Sequence, residues 1–198
     1  NTNNYLDKLK DKIMWINNKD KIEEFNKANI KFKTIRVSSN WKLKEDISFP
    51  TFKFNELIKE EWEESELYNL LESQKFFFVI YKVTTKTDTE FDKLNSEEKN
   101  NFLVLDKVML WNTPAKDIEE KAKPTWEKTI KILKEWVKIT EKWNRLFNNL
   151  PSWSETEMIH VRPHAKNRDD TDTLPDWRKL TKQCFWFNKE YIKKELWI

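Results

Sequence analysis

Residues 30–37 read Ile30-Lys31-Phe32-Lys33-Thr34-Ile35-Arg36-Val37. Apolar and polar side chains largely alternate along this stretch. Successive side chains of an extended chain point to opposite faces, so the pattern predicts a half-buried strand. Lys31 and Lys33, and with them Arg36, are expected to point outward or into a cleft. The next strong signal is residues 75–83, Lys-Phe-Phe-Phe-Val-Ile-Tyr-Lys-Val, a mostly apolar run rich in strand formers. Such a run predicts a central strand buried on both faces. Phe102–Trp111 has similar character and is expected to pair with it.

Working outward, Lys42–Phe52 is expected to return beside the 30–37 strand. Tyr5–Ile16 has helical spacing through Leu6, Leu9 and Ile13, and a short helical turn follows around Lys21–Phe25. Asn55–Ser73 reads as one long helix, with Leu57, Ile58, Trp62, Leu67, Leu70 and Leu71 as its apolar stripe. Thr84–Asn101 reads as a polar loop. Thr113-Pro114 supplies an N-cap and a first-turn proline for a helix toward Val137, broken before Pro124. Met158–Arg162 and Cys184–Phe187 read as short strands, and Asn188 is expected to cap a terminal helix ending near Leu196. Strands interleaved with helices predict an α/β fold, a mixed sheet flanked by helices.

Composition narrows the function classes. The 198 residues are 38% apolar and 36% charged, enough for one domain, or two lobes of one. No apolar run reaches the ~18 residues of a membrane span, and no secretory signal opens the chain. Cys184 is the single cysteine, which excludes an internal disulfide and a cysteine-rich zinc site. A cytoplasmic location is expected. The chain starts at Asn1 without an initiator methionine, which suggests a piece of a longer protein. The net charge of +3 decides little until the cations are shown to cluster.

Glycine is absent, although about 7% is usual. A P-loop, a dinucleotide-binding turn and a nucleophile elbow all need glycine, so none is present in ordinary form. Tryptophan, by contrast, occurs eleven times, and several copies stand where glycine is expected. Asn40-Trp41 lies where a hairpin favours Asn-Gly, and Asp176-Trp177 follows a proline. Trp15 and Trp136 end helical patterns, where a glycine C-cap is common.

Three clusters carry chemistry. His160-Val161-Arg162-Pro163-His164-Ala165-Lys166-Asn167-Arg168 concentrates cations, an Asn and two His at a strand end. Arg pairs bidentately with guanine, Asn pairs with adenine, and Lys binds phosphate as a point charge. The plainer alternative is a solvated basic loop diluted by Asp169 and Asp170. The two histidines are no zinc pair, because Pro163 interrupts any helix between them and no further ligand completes a set. His160 is expected to be a satisfied strand residue.

The second cluster is Glu23-Glu24 followed by Lys31 and Lys33. A metal-dependent nuclease commonly places a carboxylate before a strand and Glu-x-Lys on it, so that Mg2+ polarises phosphate and activates water. Here Lys31 stands where the strand glutamate belongs, and a divalent ion is repelled. Solvent-facing strand lysines are the competing reading. The third cluster, Lys179-Leu180-Thr181-Lys182-Gln183-Cys184-Phe185-Trp186, sets Lys182 and Gln183 to reach backbone and base edge; an edge strand guarded by lysines is its alternative. A Cys184–histidine nucleophile is disfavoured, because Cys184 lies in an apolar aromatic run.

In this order the clusters resemble the MutH family, and within it the GATC-cutting type II restriction endonucleases of the Sau-3AI type. The matching stretches are Lys33-Thr34-Ile35, Phe52–Glu64, Phe76–Val79, His160–Arg168, Thr181–Trp186 and Tyr191-Ile192-Lys193-Lys194. The resemblance implies a restriction-endonuclease-like fold with a DNA cleft between two lobes. It places Glu24, Lys31 and Lys33 at the Asp, Glu and Lys of the catalytic members, so that only the lysine is kept. It implies DNA contacts from Arg162, His164, Lys166, Asn167, Arg168, Lys182 and Gln183, with His164 standing at a family lysine position.

The resulting expectation is a single MutH-like domain over residues 1–198, the C-terminal, non-catalytic GATC-binding part of a longer enzyme. Its expected partners are double-stranded DNA, an N-terminal catalytic domain of the same protein, and a second copy on DNA. Neither metal nor cofactor is expected for the domain itself, and Mg2+ for the full-length enzyme. The alternatives are an active Mg2+-dependent endonuclease using another carboxylate, and a structural or protein-interaction module without a DNA role.

Overall fold

A computed structural model describes residues 25–44, 46–142 and 145–198. The helix expected over Tyr5–Ile16, most of the turn from Lys21, and Glu23, Glu24 and Trp15 lie outside the described residues. The fold is α/β, as expected. It divides into two compact units, residues 25–44 with 73–112, and residues 46–72 with 113–197.

The first unit holds a three-stranded sheet. In chain order the first four strands are β1 (Ile30–Val37), β2 (Ser48–Phe52), β3 (Lys75–Val83) and β4 (Leu103–Asn112). β3 is central, parallel to β1 and antiparallel to β4, as its apolar composition predicts. Phe76, Phe78, Val79, Ile80, Tyr81 and Val83 are all buried. The Phe76 and Phe78 rings stack at 5.6 Å, and both lean on Trp111. Burying side chains of this size contributes about 1.5–3 kcal/mol each, so β3 is the anchor of the unit.

Two expectations for this unit change. Thr84–Asn101 is not an irregular loop, for it holds the short helices Asp88–Lys93 and Ser96–Asn100. Neither carries a long apolar stripe; side chains start them instead. Thr87 accepts from the Glu90 N–H, and Asn95 forms a reciprocal capping box with Glu98. Lys42–Phe52 is not a strand returning beside β1. Leu43 alone bridges back to Val37, and β2 joins a sheet of the second unit. Phe49 and Phe52 decide this, with ring centroids 4.8 Å from Phe187 and 5.1 Å from Phe185.

That second sheet has the order β2–β10–β7, with β7 at Ile159–Pro163 and β10 at Gln183–Phe187, all neighbours antiparallel. Two ribbons accompany it, β5 (Thr140–Lys142) with β6 (Arg145–Phe147), and β8 (Thr171–Thr173) with β9 (Lys179–Thr181). The long helix expected over Asn55–Ser73 is broken into Phe54–Leu57, a tight turn at Trp62–Glu64, and Glu66–Ser73. Ser65 has extended backbone and its Oγ accepts from the Tyr68 N–H, so it starts a new helix. Trp62 is buried against Trp126, and its Nε1–H donates to Glu119 at 3.0 Å.

The helical segment after Thr113 runs through Ala115–Asp117, a π-helical turn at Ile118–Ala122, and Lys123–Glu135. The wide turn falls just before Pro124, where a break was expected, because proline offers no N–H to the helical ladder. Pro114, not Thr113, occupies the N-cap position. Trp136 ends the segment with an extended φ of −166°, so no left-handed cap occurs there. The terminal helix is Lys189–Glu195. Asn188 precedes it without capping it; its side chain bonds His160 and Thr156 instead.

Candidate nucleic-acid interface

β10 is fully apolar apart from Gln183, and it fixes β7 through the register Cys184 to Arg162 and Trp186 to His160. Side chains along β7 therefore divide by face and by depth. Ile159, His160 and Val161 are buried, whereas Arg162 and Pro163 are exposed. His160 donates from Nδ1 to the Asn188 side chain, as a satisfied strand residue should. Burial holds its imidazole below the ordinary histidine range, and the Arg162 charge adds to this. Cys184 is likewise inert, its thiol pushed up to about 12 by burial.

Arg162 emerges from the strand end as an organised cation. Its guanidinium carbon lies 4.7 Å from the centroid of the Trp186 ring, and the Trp186 indole N–H donates to the Arg162 carbonyl at 3.3 Å. The His164 ring stands 5.1 Å from the same indole. Asp46 accepts from Arg162 Nη1 at 3.0 Å, and its other oxygen lies 3.2 Å from Lys189 Nζ. One carboxylate thus holds two cations beside an aromatic platform. Stacking on the indole reduces the rotamer freedom of the long side chain, while the carboxylate occupies the guanidinium in a pair that another anion can exchange.

The loop beyond β7 is ordered by its own acids. Asn167 Oδ1 accepts from the N–H groups of Asp169 and Asp170, both at 3.0 Å. Asp170 accepts from the Lys166 N–H at 3.0 Å and pairs with Lys182 Nζ at 2.5 Å. The Lys182 hydrogen bond, then that of Lys166, holds the Asp170 carboxyl below its usual range. Arg168 pairs with Glu141 at 2.8 Å. The side chains of Lys166, Asn167 and Arg168 are exposed. Three predicted cations, Arg162, Arg168 and Lys182, therefore carry carboxylate partners. The Arg168 pair is exposed and the Arg162 pair partly so; exposed pairs are worth about 0–1 kcal/mol each, so a phosphate can replace the carboxylate there at small cost, whereas Lys182 and Asp170 are half-buried.

Gln183 departs from expectation. It is fully buried, and its Nε2 donates to the Thr181 carbonyl at 2.8 Å, so it is withdrawn from the exposed set. Its place in the central strand of the sheet explains this. Asp46, Lys189 and the platform role of Trp186 were missed by sequence reasoning. Asp46 is 116 residues from Arg162, and no local pattern links them.

On β1 both lysines are half-buried, as are Ile30, Phe32 and Thr34 beside them, so burial does not alternate over this part of the strand. Burial lowers the tendency of Lys33 to hold its proton, and the charge of Lys31 lowers it further. No group of three or more His, Cys, Asp or Glu placed to hold a metal ion occurs among the described residues.

In sequence the chain is similar to the type II restriction enzyme Sau3AI of Staphylococcus aureus. It is 33% identical over 210 aligned residues, which take in 88% of this chain. The chain is a relative of Sau3AI. It spans 40% of that enzyme's length. No family model matches the chain. No helix among the described residues is long and apolar enough to cross a membrane.

Proposed function

We propose that this chain binds double-stranded DNA at GATC sites, as a non-catalytic effector domain of a type II restriction endonuclease. The observation that carries the reading is Arg162. It is an exposed guanidinium at a strand end, seated on Trp186 and held by Asp46, in a chain related to a restriction enzyme. His164, Lys166, Asn167 and Arg168 follow it in sequence, Lys182 joins them through the His164 N–H and Asp170, and these residues supply phosphate and sugar contacts. A MutH-like fold with a cleft for DNA belongs to the proposal, as do an N-terminal catalytic domain in the same protein and self-association on DNA. Mg2+ then serves the full-length enzyme alone. Lys31 stands where the resemblance puts a metal-binding glutamate, and two neighbouring ammonium groups repel a divalent cation. No catalytic step is assigned to this chain.

The test is one experiment on a labelled GATC duplex and a scrambled control, with and without Mg2+. Retention of the GATC duplex without cleavage is the expected result. Mg2+-dependent cutting that is lost in Lys33→Ala favours an active endonuclease. Equal, negligible retention of both duplexes at low salt favours a module with no DNA role.

A further inference from the structure

Four described residues have a left-handed backbone: Asn29, Trp41, Trp177 and Trp197, with φ of 52°, 61°, 70° and 57°. Asparagine tolerates this region, but tryptophan there is a genuine outlier, because its Cβ meets the following carbonyl. Three of the four left-handed positions being tryptophan needs a cause.

The local geometry at each position is one that glycine ordinarily serves. The Trp41 N–H donates to Ser38 O at 3.0 Å, while Ser38 N–H donates to Lys42 O at 2.9 Å. The Trp177 N–H donates to Leu174 O at 3.0 Å, while Leu174 N–H donates to Arg178 O at 2.8 Å. These two turns are the same object, a tight turn followed by a left-handed bulge residue, and glycine is the residue that such a bulge favours. Trp197 follows the C-cap Leu196 of the terminal helix, and its N–H returns to Lys194 O at 3.2 Å. That is the left-handed residue and the inner bond of a Schellman ending, again a glycine position.

Exposure runs only partly in parallel, since left-handed Trp41 is 39% exposed while Trp136 and Trp153, which are not left-handed, are 59% and 71% exposed. Trp177 and Trp197 are 87% and 85% exposed, whereas Trp62, Trp111 and Trp126 are 3%, 8% and 6% exposed. An indole so exposed buries little apolar surface, while the buried indoles fill a core. The chain as a whole has eleven tryptophans and no glycine, against roughly 14 glycines expected at average usage.

We propose that positions 41, 177 and 197 are decoded as glycine in the cell that makes this protein, through a codon distinct from that of the buried tryptophans. The codon UGA fits this role. It is a stop in the standard code, it differs by one base from the tryptophan codon UGG, and it differs by one base from the glycine codon GGA. Reassignment of one codon accounts for the left-handed backbones at these three tryptophans and for part of the tryptophan surplus and the glycine deficit. The inference is independent of DNA binding.

Two measurements test it. In the coding DNA, positions 41, 177 and 197 share one codon, and positions 62, 111 and 126 carry UGG; UGG at the first three overturns the proposal. In the purified chain, Trp177→Gly and Trp197→Gly each raise the melting midpoint by roughly 2–4 °C, the relief of one left-handed non-glycine residue in a chain of this size. Trp41→Gly rises less, because Lys82 Nζ lies 3.7 Å over the Trp41 ring and that contact is lost. Trp126→Gly, the buried control, falls. A lower midpoint for both Trp177→Gly and Trp197→Gly overturns the proposal.

Discussion

The two sheets treat their cations in opposite ways. On β1, Lys31 and Lys33 are half-buried neighbours whose charges oppose each other. At the end of β7, Arg162 is exposed, stacked on an indole and paired with a carboxylate. Under the proposed reading, the first arrangement keeps a lysine but puts a cation where the family resemblance places a metal-binding glutamate. The second holds a cation in an exchangeable pair, which suits a polyanion. A residue type therefore says little about role until its depth and its partner are known.

The largest expected effect lies on β7. Arg162→Ala weakens binding to the GATC duplex by about 1–3 kcal/mol, read by fluorescence anisotropy, and leaves the scrambled duplex little affected. An equal loss on both duplexes makes Arg162 a phosphate contact and blunts the contrast between the sheets. Next is Asp46→Asn, which removes the carboxylate charge that pairs with Arg162 and Lys189. DNA binding then tightens several-fold, and the salt dependence steepens by about 0.9 per added phosphate contact. Weaker binding instead identifies Asp46 as a residue that positions Arg162.

Beneath Arg162, His160 sets a pH limit on the same strand. Its folded-state pKa lies below the ordinary value of 6.5, so the unfolded chain takes up its proton first as pH falls. Stability is fully present above pH 6.5 and declines as pH drops through the folded value. Melting midpoints at pH 7.5 and 5.5 show this, and His160→Gln flattens the difference. The smallest effect belongs to β1. Lys31→Glu turns repulsion at Lys33 into attraction, so the Lys33 proton is held more tightly in a titration followed by NMR. DNA affinity stays unchanged; a loss comparable to that of Arg162→Ala puts β1 in the interface as well.

Much of the architecture was legible. Alternation marked β1 to its end residues, and a continuous apolar run marked β3 as central. The buried, unreactive Cys184 and the satisfied His160 followed from their apolar neighbours. The helical breaks were not legible. A run of apolar residues at helical spacing hid the restart at Ser65, because one serine hydroxyl competes locally with the helix. The helices after Thr87 and Asn95 carry their signal in caps and not in a stripe. Trp41 and Trp177 were legible as glycine-like turn positions from their neighbours alone, whereas Trp197 needed the backbone angle.

The sequence by itself determined β1, β3, β4, β7 and β10, the cation clusters and their order along the chain, because periodicity and composition act over a few residues. Tertiary structure alone decided that Asp46 meets Arg162 across 116 residues, that Trp186 lies under it, and that Gln183 is sealed inside the sheet. Those facts depend on which strands pair and in what register. That choice was made by remote aromatic side chains such as Phe49, Phe52, Phe185 and Phe187 finding one another, and no local pattern encodes it.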